Sequence, residues 1–185
     1  MRTFFCFPLE ENVRKELVKF RSGVSSPARV KWVSTENLHI TVKFLGDIKK
    51  GSKDEILSRA KEAVSPFDPF CFTINKLGAF PDISYPKVVW LGSSCTPESM
   101  KKLHKRLEES LENLGFEKED REYIPHITLG RTKDKDNRKI KDFGKNLEFS
   151  EFPKNMEVRL DRLVLMKSEL KRSGPVYERV GQVSL

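Results

Sequence analysis

Residues 38–44 read Leu38-His39-Ile40-Thr41-Val42-Lys43-Phe44, and residues 125–131 read Pro125-His126-Ile127-Thr128-Leu129-Gly130-Arg131. The tripeptide His-Ile-Thr thus occurs twice, 87 residues apart, in a 185-residue chain with only three histidines. With 8 Ile and 7 Thr available, a given His precedes Ile-Thr by chance about once in 600, so the repeat needs a cause beyond motif noise. A separation close to half the chain suggests two related halves, each presenting one imidazole to a shared centre.

Successive side chains of a strand point to opposite faces. In the first copy Leu38, Ile40, Val42 and Phe44 form an apolar row, and His39, Thr41 and Lys43 share the other face. In the second copy Ile127 and Leu129 face the core, and His126, Thr128 and Gly130 lie opposite. On this parity Lys43 adds positive charge to the pocket, whereas Arg131 points away from His126 unless Gly130 bends the strand. Each strand offers a hydroxyl, which can donate to a phosphate oxygen, and an imidazole that titrates near neutrality. Two such units around one phosphorus would supply an acid, a base and two anion-binding donors.

Outward from these strands the chain reads as alternating strands and helices. Strands are expected at 2–7, 30–33, 38–45, 70–74, 88–91, 124–129, 158–166 and 176–183. Helices are expected at about 9–20, 53–64, 97–114 and 137–146. The helix at 53–64 carries a capping-box pattern at Ser52 and Glu55. The one at 97–114 opens with Pro97 at its first position and has Met100, Leu103, Leu107, Leu111 and Leu114 on one face. No linker separates domains, so residues 1–185 are expected to form one domain, or two small intimately packed lobes.

Composition narrows the function classes. The formal net charge of +8 favours polyanions such as RNA but says nothing about chemistry. Cys6, Cys71 and Cys95 are odd in number and widely spaced, which fits reduced, mostly buried thiols in a cytosolic protein. No apolar run approaches the ~20 residues of a membrane-spanning helix. Neither His has a His, Cys or carboxylate at zinc-ligand spacing. No cysteine pattern accompanies them, and no phosphate-cradling Gly-rich ATP motif occurs. Neither metal nor cofactor is therefore expected. His104 lies at the margin of a leucine stripe and reads as a packing residue.

The two motifs resemble those of the 2H phosphoesterases, defined by paired His-x-Thr-x motifs, and within them the RNA 2′,3′-cyclic phosphodiesterases, also called 2′-5′ RNA ligases. The resemblance spans nearly the whole chain. It includes Met1-Arg2-Thr3-Phe4-Phe5, the first motif through Leu45-Gly46, Pro86-Lys87-Val88-Val89-Trp90-Leu91-Gly92, the second motif, Ser168-Glu169-Leu170 and Gly174-Pro175-Val176-Tyr177.

The resemblance implies an α+β fold of two pseudo-symmetric lobes, with antiparallel sheets, outer helices and a central cleft. It implies opening of a 2′,3′-cyclic phosphate at an RNA 3′ end to leave a 2′-phosphate, without metal or ATP. His39 would be the proton donor and His126 the acceptor. Thr41 and Thr128, with Lys43 and Arg131, would hold phosphate. Water replaced by an RNA 5′-hydroxyl would give 2′-5′ ligation. The implied partner is RNA with a cyclic phosphate end, tRNA fragments among the candidates, and the protein is expected to be a monomer. Trp90 and the aromatic first strand could stack a base or pack in the core. Two other functions stay open: an RNA-end binding module with little turnover, and the same chemistry on a small cyclic-phosphate nucleotide.

Overall fold

The aromatic run near the N-terminus forms β1 (Arg2–Pro8), a central strand buried on both faces. The computed structural model describes residues 1–152, 155–171 and 174–185. After β1 come α1 (Glu11–Gly23), β2 (Val30–Trp32), β3 (His39–Asp47), α2 (Lys53–Val64), β4 (Phe70–Ile74), β5 (Lys76–Phe80) and β6 (Val88–Gly92). These are followed by α3 (Glu98–Glu112), β7 (His126–Thr132), α4 (Asn137–Glu148), β8 (Met156–Leu160), β9 (Arg162–Lys171) and β10 (Gly174–Ser184). The fold is α+β.

The large sheet is antiparallel and runs β10-β9-β1-β3-β7-β6-β5, with β2 also paired to β7. Its two halves, β10-β9-β1-β3 and β7-β6-β5, join through a single assigned pair, Ile40 opposite Ile127. The lobes therefore meet along the two histidine strands. Helices lie on the face away from the histidines: α3 packs behind β3, where Glu108 meets Lys43. In the other half α4 lies behind β2, where Phe143 meets Trp32 edge-on at 6.4 Å. One apolar cluster, including Phe5, Phe7, Ile40, Leu103, Ile127, Phe143 and Leu165, runs through both halves. No described helix is long and apolar enough to cross a membrane.

Four details depart from the sequence pattern. The segment expected as one strand at 158–166 breaks at Asp161: Leu160 pairs with Phe70 in a small β4–β8 sheet, and Leu163 pairs with Val183 in the large one. The buried positions shift phase there, from Val158 and Leu160 to Leu163 and Leu165. β5 lacks β-branched residues, and its Gly78 is held by close approach: a Cβ there would stand 2.2 Å from the Trp90 ring on β6. Ser52 makes no capping bond and is itself helical, so the capping box does not form. The cap of this type belongs to α4, where Asp136 accepts from the Arg138 and Lys139 amides. Pro97 precedes α3 rather than opening it.

Candidate active site

Ile40 and Ile127 are fully buried on the core face, and their pairing acts as a local twofold between β3 and β7. In an antiparallel ladder, one step each way sets His39 beside Thr128 and Thr41 beside His126, on the opposite face. Directly opposed side chains in such a pair stand ~5 Å apart at Cβ. The four side chains line one cleft of about 460 Å³.

Each imidazole is held in the same way. His39 Nδ1 lies 2.6 Å from the Asn37 carbonyl, and His126 Nδ1 lies 2.7 Å from the Ile124 carbonyl. A carbonyl only accepts, so each Nδ1 carries the proton and each neutral ring keeps an Nε2 lone pair. His39 Nε2 lies 3.0 Å from Thr41 Oγ1, whose hydroxyl donates to it. Burial pulls His39 down to about 4, partly opposed by the Asn37 carbonyl bond and helped by the proximity of His126. Burial also lowers His126, with Arg131 acting in the same direction and the Ile124 carbonyl against it. With no anion in the cleft, both rings are therefore neutral near pH 7. The lead-in to the second motif is tied to the first, because the Tyr123 hydroxyl donates to the Thr41 carbonyl at 2.9 Å.

Beyond the threonines, both strands break parity at the same offset. In β3 the pairing with β1 skips Val42, from Thr41 opposite Cys6 to Lys43 opposite Phe5. In β7 the pairing with β6 skips Leu129, from Thr128 opposite Trp90 to Gly130 opposite Val89. Such β-bulges add one residue and turn the following side chains over. Lys43, expected in the pocket, is 1 % exposed and points beneath the sheet to Glu108 and the Glu117 carbonyl. It does not reach the cleft. Phe44, expected in the core, turns into the cleft and is 59 % exposed. Gly130 takes the position equivalent to Lys43. A Cβ there would stand 2.7 Å from the Trp32 ring, so its lack of a side chain lets β2 lie against β7. Arg131 then follows Phe44's pattern and lines the cleft beside His126 and Thr128.

Aromatic rings back both histidines. Phe4 and Tyr177 lie 5.0 and 5.4 Å from the His39 ring, and Phe80 and Trp90 lie 5.3 and 5.8 Å from that of His126. Trp90 and Phe4 are buried and pack rather than line the cleft. Lys31, Lys133 and Tyr177 also line it, though only the strand pairing reveals this. Nothing local to Lys31 marks it, but Lys31 pairs with Arg131 across β2 and β7. No carboxylate lines the cleft among the described residues. Nor do the described residues include a group of three His, Cys, Asp or Glu able to hold a metal. His104 stacks flat on Tyr123 at 4.0 Å behind β3, outside the cleft.

Residues 10–172 match the family model described as the 2′-5′ RNA ligase superfamily. Over 182 residues the chain is 37% identical to an RNA 2′,3′-cyclic phosphodiesterase of Methanocaldococcus jannaschii, covering 96% of this chain and 97% of that protein. It is 35% identical over 181 residues to the protein of that name from Methanothermobacter thermautotrophicus, covering 96% and 95%. Among solved structures, TT0787 of Thermus thermophilus superposes with a TM-score of 0.81 at 28% identity, covering 100% of this chain and 98% of that one. E. coli LigT complexed with 3′-AMP superposes with a TM-score of 0.78 at 22% identity, covering 100% and 97%, a likeness of fold.

Proposed function

The chain belongs to the 2′-5′ RNA ligase superfamily, and on that premise we propose that it is an RNA 2′,3′-cyclic phosphodiesterase, opening the cyclic phosphate to a 2′-phosphate. The observation that carries this reading is the Ile40–Ile127 pair, which sets two His/Thr units on either side of one point in a cationic cleft.

In this reading the cyclic phosphate sits between the two units. His126, with its Nε2 lone pair, takes the proton of a water that attacks phosphorus in line with the ribose 3′-oxygen. His39 supplies a proton from Nε2 to that departing oxygen. An anionic phosphodiester in the cleft offsets the burial that keeps the rings neutral, so one proton is retained on the pair. When it resides on His39, Nε2–H becomes a donor and the Thr41 hydroxyl no longer donates to it. That hydroxyl can then turn to a non-bridging oxygen, as Thr128 does on the other side, when charge builds in the transition state. Arg131 adds a fixed charge at the same oxygens. An RNA 5′-hydroxyl in place of water gives 2′-5′ ligation by the same steps.

The apolar cluster shared by both halves supports reading residues 1–185 as one domain of two lobes, which we propose acts as a monomer. Contrary to the expectation of mostly buried thiols, Cys71 and Cys95 are exposed and only Cys6 is buried; all three are free, which supports a reducing compartment such as the cytoplasm. The test is product analysis with a 2′,3′-cyclic phosphate oligonucleotide in EDTA, tRNA fragments being one RNA class to try. A 2′-phosphate product is expected. A 3′-phosphate product, or turnover that requires an added metal, would overturn the reading.

A further inference from the structure

Five large apolar side chains are exposed among the described residues: Phe44, Ile124, Phe149, Leu170 and Val176. Phe44 and Leu170 line the histidine cleft. Ile124 and Val176 are not among the residues that line it. In a chain with a net charge of +8, two large apolar side chains exposed in the cleft that holds the histidines point to a binding face. Leu170, at 84 % exposure, sits near the end of β9 opposite Pro175 of β10.

The cleft is divided. Phe44, Leu170 and Pro175 come from β3, β9 and β10. Of the cations, Arg131 and Lys133 come from β7 and the residue after it, and Lys31 reaches from β2 to Gly174 at the start of β10. One wall suits a planar, apolar face, and the other suits a row of phosphates. A nucleotide has both, held apart by its ribose. A cleft of about 460 Å³ falls in the ordinary range for one small ligand.

We infer that Phe44, Leu170 and Pro175 seat an unpaired terminal nucleobase while Lys31 and Lys133 track the phosphates of the preceding nucleotides, so that the protein selects single-stranded 3′ ends over blunt duplex ends. The inference rests on the phosphodiesterase reading for its ligand. A base in a duplex has its edge paired and a face stacked, and must be released before it can lie on this wall.

The test is fluorescence anisotropy with an oligonucleotide ending in a 2′-phosphate, presented as a single strand, a blunt duplex, or a duplex with a short 3′ overhang. The wild-type protein is expected to bind the single strand and the overhang at least about 10-fold more tightly than the blunt end. The double variant Phe44→Ala/Leu170→Ser, altered only at exposed positions, is expected to bring that ratio close to unity with an unchanged salt dependence. Lys31→Ala and Lys133→Ala are expected to keep the ratio and to flatten the slope of log affinity against log salt by about 0.7 each. Equal wild-type affinity for single-stranded and blunt ends overturns the inference, as does a ratio untouched by the double variant. These outcomes are read from binding, so a preserved preference without hydrolysis of any cyclic end counts against the phosphodiesterase reading alone.

Discussion

The Lys43 ammonium lies 2.7 Å from Glu108 Oε2, with both side chains buried beneath the sheet. Strand parity would place Lys43 with His39 and Thr41 in the cleft, and the bulge at Val42 reverses it. Glu108 Oε2 also accepts from the Glu119 amide, and Lys43 donates to the Glu117 carbonyl. The pair thus anchors the chain after α3 to the strand that carries the first motif.

Lys43→Met strands a buried carboxylate, and breaking one side of such a pair costs about 3–5 kcal/mol. Denaturant unfolding is expected to show a loss of that size. The double variant Lys43→Met/Glu108→Leu should recover a large part of it. A stable Lys43→Met protein with only a raised KM would instead place Lys43 at the phosphate.

Gly130 holds the equivalent position in the second motif and carries the opposite demand. Gly130→Ala drives a methyl into the Trp32 ring and Val30. Overpacking of this kind costs about 1–3 kcal/mol, and β2 and Arg131 should shift with it. The expected result is a lower midpoint of unfolding together with a loss of kcat/KM. An unchanged midpoint would show that β2 moves away freely.

Arg131→Met removes the cation nearest the second motif. Phosphate affinity should fall, and the slope of log affinity against log salt should flatten by about 0.7 for a single-stranded ligand. Arg131→Lys should restore the slope but only part of the affinity, because a bidentate contact is lost. Binding isotherms at several salt concentrations check this.

His39 couples folding to pH. Its imidazole falls to about 4 in the folded chain, against an ordinary value of 6.5. Within that window the unfolded chain binds a proton that the folded chain does not. Stability is therefore held above the window and lost as pH falls through it. The wild-type protein should lose more unfolding free energy between about pH 7 and pH 5 than His39→Gln does. Parallel pH dependences in the two proteins would remove His39 as a cause.

Much of this was legible in the sequence because it is local. The His-Ile-Thr repeat, the buried Ile40 and Ile127, and the helix at 53–64 follow from alternation and periodicity along a single segment. What the sequence did not reveal depends on partners. A bulge is a mismatch between two strands, so Lys43 and Phe44 exchanged faces without any signal in β3 itself. Arg131 entered the cleft for the same reason, at the Gly130 position where a bend had been the stated condition. Lys31 joins the site through its pairing with Arg131 across β2 and β7, and β5 forms because Gly78 admits the Trp90 ring.

The central claim is that His39 and His126 act as one acid–base pair on a cyclic phosphate. The most direct measurement is kcat/KM for a cyclic-ended oligonucleotide with His39→Ala, His126→Ala and the double variant. Groups that act as a unit are not additive. Each single variant should therefore fall by at least about 10²-fold, with the double variant little lower than either. Near-wild-type turnover in either single variant, or a double variant whose loss is the product of the two single losses, would contradict it.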